Sequence, residues 1–130
     1  MGFILEYDAK HNVLRVTLDG LLTDALLAEG YAATAKYVAS HPPCHGITDV
    51  TAVTKFDVSS DAIKRLAGTS PAFPTAYMKV FVAPKDFVYG MARMFQIIGG
   101  ETRPNLHIVR TMDEAYRLLQ VESPEFSPVS

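Results

Sequence analysis

Apolar and polar residues alternate with period two over positions 3–7 and again over 13–18, and the link Asp8-Ala9-Lys10-His11-Asn12 has turn chemistry. These two runs predict a hairpin, with Asp19-Gly20 ending its second strand. From Thr23, a sound N-cap with Asp24 behind it, the spacing changes to helical. Leu27, Tyr31, Thr34 and Val38 form one stripe, and His41-Pro42-Pro43 stops the helix near Ser40. Residues 46–53 are β-branched and mostly apolar, interrupted by Asp49, and predict a strand covered on both faces. A short helix over 61–68 follows, capped by Ser59 or Ser60, with Ile63, Leu66 and Ala67 inward. Residues 77–83 read as the most buried strand and 106–110 as a fifth. Thr111 and Glu114 form a capping box for a last helix, which turns Ala115, Leu118 and Leu119 inward. From Glu122 onward Ser, Pro and Glu dominate, so 122–130 is expected to fray. The order β-β-α-β-α-β-α-β-α predicts an α/β domain over 1–121. It has a single mixed, mainly parallel five-stranded sheet and about four helices, because each strand-helix-strand crossover makes parallel neighbours.

The stretch 84–100 departs from ordinary patterning. Asp86 can cap a helix and Gly99 or Gly100 can close it, yet only Arg93 and Gln96 between them are strongly polar. A surface helix of a small domain normally has one apolar stripe and one charged face. Phe87, Met91, Met94 and Ile98 are expected to face the core, leaving Val88, Tyr89, Ala92 and Ile97 around Arg93 on an outer flank. Such a flank suits a homodimer contact, an apolar or amphipathic ligand, or peripheral contact with a membrane surface. Helix 87–98 is therefore the expected binding element, with Tyr89, Gly90, Arg93, Met94 and Ile97 as candidate ligand-binding residues. Arg93 can clamp a carboxylate or phosphate, or simply reach solvent or an acidic neighbour. Gly90 permits close approach of a ligand, or close packing on the sheet. About twelve residues rise roughly 18 Å, too short to span a bilayer.

Composition narrows the partners. At 130 residues, 48% hydrophobic and 20% charged, the chain has the make-up of one globular domain with a real core. A net charge of −2 with scattered Lys and Arg gives no footprint for nucleic acid and no polybasic patch for anionic lipid. Cys44 is the only cysteine, so no intrachain disulfide can form. The first residues lack a basic n-region, and Glu6 stands where a myristoylation signal wants Ser or Thr. The expected setting is cytoplasmic.

Candidate chemistry is sparse. His41, Cys44 and His45 concentrate potential metal ligands, with Asp49 the nearest carboxylate, but adjacent Cys and His rarely serve one ion and no second cluster follows. A nucleophile built on Cys44, His45 or Asp49 would need a base and an oxyanion hole that the sequence does not mark. No phosphate-binding loop, dinucleotide fingerprint or nucleophile elbow occurs. Neither an enzyme, a cofactor nor a metal is expected.

The element order, the strand Ile47-Thr48-Asp49-Val50-Thr51, the segment Phe56-Asp57-Val58-Ser59-Ser60 entering a helix, and Asp113-Glu114-Ala115 in the last capping box together resemble the STAS domain, the anti-sigma-factor-antagonist fold. Tyr89-Gly90-Met91-Ala92-Arg93-Met94-Phe95 after Val80-Phe81-Val82-Ala83 looks like a stand-alone bacterial branch of it. The resemblance implies a small, often dimeric binding or regulatory domain without established catalysis, structurally akin to CRAL-TRIO lipid-binding domains. It also implies an alternative, a partner switch phosphorylated at Ser59 or Ser60. This sequence departs from the switch motif, with Val58 where a serine should follow the aspartate and Asp61 in place of glycine.

Overall fold

The computed structural model describes residues 2–129. Strands β1 (Phe3–Asp8) and β2 (Val13–Thr23) form the predicted hairpin, with Leu5 opposite Val16 and Tyr7 opposite Leu14. Asn12 takes the positive φ of 58° that closes its turn. Helix α1 (Asp24–Ala39) follows, capped by Thr23, whose Oγ1 accepts from Leu26 N at 3.1 Å. Then come β3 (His45–Asp57), α2 (Ser60–Ala67), β4 (Lys79–Val82), α3 (Asp86–Gly99), a 3-10 turn (Gly100–Thr102), β5 (Leu106–Val109), α4 (Met112–Leu118) and β6 (Ser127–Pro128).

One mixed sheet runs in the order β5-β4-β3-β2-β1-β6. Its β2–β3, β3–β4 and β4–β5 pairings are parallel, and the β1–β2 and β1–β6 pairings are antiparallel. The class and helix count match the sequence reading; the sheet does not. It has six strands rather than five and is partly antiparallel rather than mainly parallel. The sixth strand comes from the segment that composition sets outside the domain. Ser127 pairs with Tyr7, and Val129 N donates to Leu5 O at 3.0 Å, so the tail returns along the free edge of β1. The fully buried Asp8 carboxylate steers it there, since Oδ2 accepts from Glu125 N at 3.2 Å and from His11 Nδ1 at 2.7 Å.

Asp19-Gly20 does not end β2. Gly20 adopts φ 68°, and the register with β3 shifts on either side of it. A glycine bulge bends the strand instead of stopping it, and pairing continues to Thr23 opposite Asp57.

The strands β2, β3, β4 and β5 are added in one direction across the sheet. Right-handed crossovers then place α1, α2 and α3 on the same face. Leu18, Leu22, Val50, Val58, Ile63, Val88 and Ala92 form a core there. The opposite face carries α4 and the tail over Val13, Ile47, Val80, Val82 and Val109, with Ala115 and Val121 packed down on them.

Helix α3 sits turned from its expected orientation. Val88, Ala92 and Gly99 are its buried residues, whereas Phe87 is 62% exposed and Ile98 is exposed too; Met91 and Met94 pack against the core and Ile97, 69% exposed, lies outside, as expected. A helix apolar on all sides has no polar face to fix its rotation, so side-chain size decides, and the small stripe Val88–Ala92 lets it approach the sheet. Its N-cap is Lys85, not Asp86, which is the first helical residue and pairs with Arg110 at 2.8 Å. Gly100 ends it with φ 49°. Among the described residues no helix is long and apolar enough to cross a membrane.

Candidate functional site

The helical layer over the sheet is incomplete. Helix α2 has eight residues, which rise only about 12 Å. Beyond it, the proline-bearing stretch 68–78 has to cover the strands. Phe73, buried, is laid flat on the sheet by that stretch. Gly46 of β3 lies beneath it, where an added Cβ would come within 2.8 Å of Phe73 Cε1 and Cε2. Between this loop, α1, α3 and the sheet lies a cavity of about 120 Å³.

Its walls follow from strand alternation. Val16 and Leu18 of β2, Phe81 of β4 and Ile108 of β5 point into it from the sheet. Gly30, Tyr31 and Thr34 border it from α1, and Val88, Met91, Ala92 and Phe95 from α3. Gly30 is packed closely, an added Cβ there lying 3.3 Å from Leu18 Cδ2, and Ala92 is the small residue that α3 turns to the cavity. Polar groups are few and mostly engaged. Tyr31 Oη donates to Ser70 O, Thr34 Oγ1 to Gly30 O at 2.7 Å, and Asn105 Nδ2 to Thr75 O at 2.6 Å.

Two cations also line the cavity. Lys79, at the start of β4, holds its Nζ 4.6 Å from the Phe73 ring centre. Arg103, after the 3-10 turn, places Cζ 4.7 Å from the Phe95 ring centre. Its Nη2 donates to Thr69 O at 2.8 Å and to Leu66 O at 3.1 Å. Burial, with the Arg103 charge adding to it, lowers the Lys79 ammonium to about 8.

None of the five candidate residues Tyr89, Gly90, Arg93, Met94 and Ile97 lines the cavity. Arg93 lies on the exposed side of α3, where Nη1 donates to Gln96 Oε1. Tyr89 stacks under Arg110, whose Cζ is 4.2 Å from its ring centre. Gly90 faces open space with nothing within 4 Å of an added Cβ, so close packing is not its role. Met94 is half-buried against the helical core. Instead α3 contributes its next face round.

The other candidates are dispersed. Ser59 caps α2 by accepting from Ala62 N at 3.1 Å, and its Oγ donates to Asp24 Oδ2 at 2.8 Å while its N–H donates to Asp24 Oδ1 at 2.8 Å. Those bonds lower the Asp24 pKa, the Ser59 backbone bond most. Ser60 is exposed as the first residue of α2. Cys44 is buried, which raises its thiol pKa. His41 stacks on Tyr37 at 3.8 Å between ring centres, and His45 Nδ1 accepts from Met78 N at 2.9 Å. Asp49 turns its Oδ1 to the Thr51 N–H and hydroxyl at 2.8 and 2.7 Å. Among the described residues no group of three such side chains could hold a metal ion.

Sequence reasoning passed over Lys79 and Arg103. The signal for Lys79 was present, because period two puts it on the same face as Phe81 in an otherwise apolar strand. Arg103 carries no such signal, since its position depends on how the 3-10 turn folds back over α2. Compared with models of known protein families and with curated proteins, the sequence matches none.

Proposed function

We propose that this chain is a STAS-like, non-catalytic binding domain that holds a small apolar or amphipathic molecule in the cavity beneath α3. The element order supports the family reading through its first nine elements, β-β-α-β-α-β-α-β-α. The observation that carries the binding reading is the cavity itself. Sites that take a small molecule are concave and mostly apolar with a few placed polar groups, and this cavity has that lining. A comparable apolar cavity, about 150 Å³, admits benzene.

The test is a toluene titration followed by NMR. Saturable shifts centred on Met91, Ala92 and Phe95 are expected. Ala92→Leu should abolish them, and Ile97→Lys on the outer flank should leave them unchanged. No saturable binding, or loss with Ile97→Lys alone, would sink the proposal.

A second reading, self-association through the outer side of α3, rests on the exposure of Phe87 and Ile97. Phe56 packs edge-on against Phe87 at 5.4 Å between ring centres, extending that apolar surface. Sedimentation across concentration tests it: dimer formation lost in Ile97→Lys supports it, and a monomer at every concentration removes it. A cytoplasmic setting belongs to the same proposal, supported by the use of a single, buried cysteine.

A further inference from the structure

The cavity is lined mostly by apolar side chains, and Lys79 and Arg103, close enough for one charge to act on the other, are the cations among them. Among the described residues, ion pairs join Asp8 to His11, Glu6 to Arg15 and Asp86 to Arg110; none reaches Lys79 or Arg103. Lys79 is half-buried and its Nζ makes no hydrogen bond there, and Arg103 Nε is buried without a partner, as Arg15 Nε is on the other face of the sheet. Each charge instead lies over an aromatic ring, Phe73 and Phe95 respectively. A ring face offsets only part of what a buried cation loses on leaving water. The missing counter-charge is therefore the most specific feature of the site.

We propose that the occupant is a small apolar monocarboxylic acid, whose ring or short chain fills the apolar part of the cavity and whose carboxylate meets Lys79 and Arg103. This rests on the cavity-binding reading above. The donors that remain are the Lys79 ammonium and the Nε and Nη1 groups of Arg103, since Nη2 already serves two carbonyls. A carboxylate can accept from both residues at once. A phosphate brings more charged oxygen into a lining that is mostly apolar, where the neighbouring Tyr31 hydroxyl and Asn105 amide are committed to backbone carbonyls. The cavity volume suits a body of about one six-membered ring, or a chain of similar bulk. A neutral apolar molecule would fit the same space but leave both cations without a partner.

The experiment compares phenylacetate with its neutral isostere phenylacetamide by calorimetry on the full chain, with toluene and inorganic phosphate as reference probes. At pH 7 phenylacetate should bind about ten-fold tighter than phenylacetamide, or more. In Lys79→Met that preference should fall to within about three-fold while toluene still binds. A wild-type arm does not depend on the variant folding. There the preference should decline as pH rises from 8 to 10 and Lys79 loses its proton. Burial and the Arg103 charge bring this release into range, with Cys44 the other titratable group acting on Lys79. Equal affinity for acid and amide in the wild type overturns the carboxylate proposal and leaves the apolar cavity standing, provided toluene binds. Phosphate binding as tightly as phenylacetate overturns the apolar-acid class. Failure of all four probes removes the underlying site.

Discussion

Arg15, on the α4 face of the sheet, and Lys79 with Arg103, on the α1–α3 face, are cations partly withdrawn from water in one small domain. Arg15 Nη2 donates to Glu6 Oε1 at 2.7 Å, Nη1 donates to Tyr116 Oη at 2.9 Å, and its Cζ is 4.0 Å from the Phe126 ring centre. Carboxylate, hydroxyl and ring meet that charge from within the chain, although Arg15 Nε is buried without a partner just as Arg103 Nε is. On the other face the rings are present and the carboxylate is not. The difference separates a charge that holds the fold together from one that the fold merely tolerates. The two should answer mutation with opposite sign.

The largest effect is expected at the closed site. Glu6→Gln leaves Arg15 half-buried without its counter-charge, and breaking such a pair costs about 2–4 kcal/mol once the partial exposure of both groups is allowed for. Urea unfolding should show a lower midpoint at unchanged m-value. Lys79→Met should act the other way, raising stability by about 2 kcal/mol, because it removes a charge whose burial lowers its pKa from 10.5 to about 8. If both substitutions destabilise, the two faces are not different in kind and the reading of Lys79 as an unneutralised charge fails.

Titration sharpens the same contrast. Between about pH 8 and 10 the unfolded chain still holds the Lys79 proton while the folded chain has released it, so stability should rise with pH in that window. Lys79→Met should flatten this limb. From about pH 9 Cys44, and above pH 10 Tyr7 and Tyr37, oppose it, since burial raises the thiol and both hydroxyl pKa values and the folded state then binds more protons. The closed side depends instead on Asp8. Burial alone would raise its pKa, but the hydrogen bond from the His11 side chain, and those from the backbone of Glu125 and His11, outweigh it and lower the carboxyl. Its contribution is therefore present above the ordinary value of 3.8 and is lost as pH falls through its lower folded value. Backbone amide exchange at Glu125 and Val129 should report that loss first, as the tail leaves β1.

The sequence revealed the elements better than it revealed their faces. Caps are local, so Thr23, Ser59 and Thr111 could be read from neighbouring residues, and each holds the expected amide. The sixth strand was hidden because Ser127–Pro128 has no strand pattern of its own and is held by contacts to Asp8 and Leu5 more than a hundred positions away. The site was hidden for a related reason. Apolarity on every side of α3 marked the helix as unusual but could not fix its rotation, and so drew attention to Arg93 on the outer side. The cavity arises from what α2 is too short to cover, and its charges come from one strand start and one turn.

Gly90 gives the smallest and most discriminating prediction on that helix. It lies mid-helix, on the outer side, with nothing near an added Cβ. Alanine there reduces the freedom of the unfolded chain and suits the helix better, so Gly90→Ala should add about 0.5–1 kcal/mol. A glycine kept for ligand approach would behave otherwise, since a methyl group would weaken toluene or phenylacetate binding. Stability up with binding unchanged places the ligand on the cavity side of α3. Binding lost at Gly90 would return the site to the outer flank and, with it, make Arg93 rather than Lys79 the cation that matters.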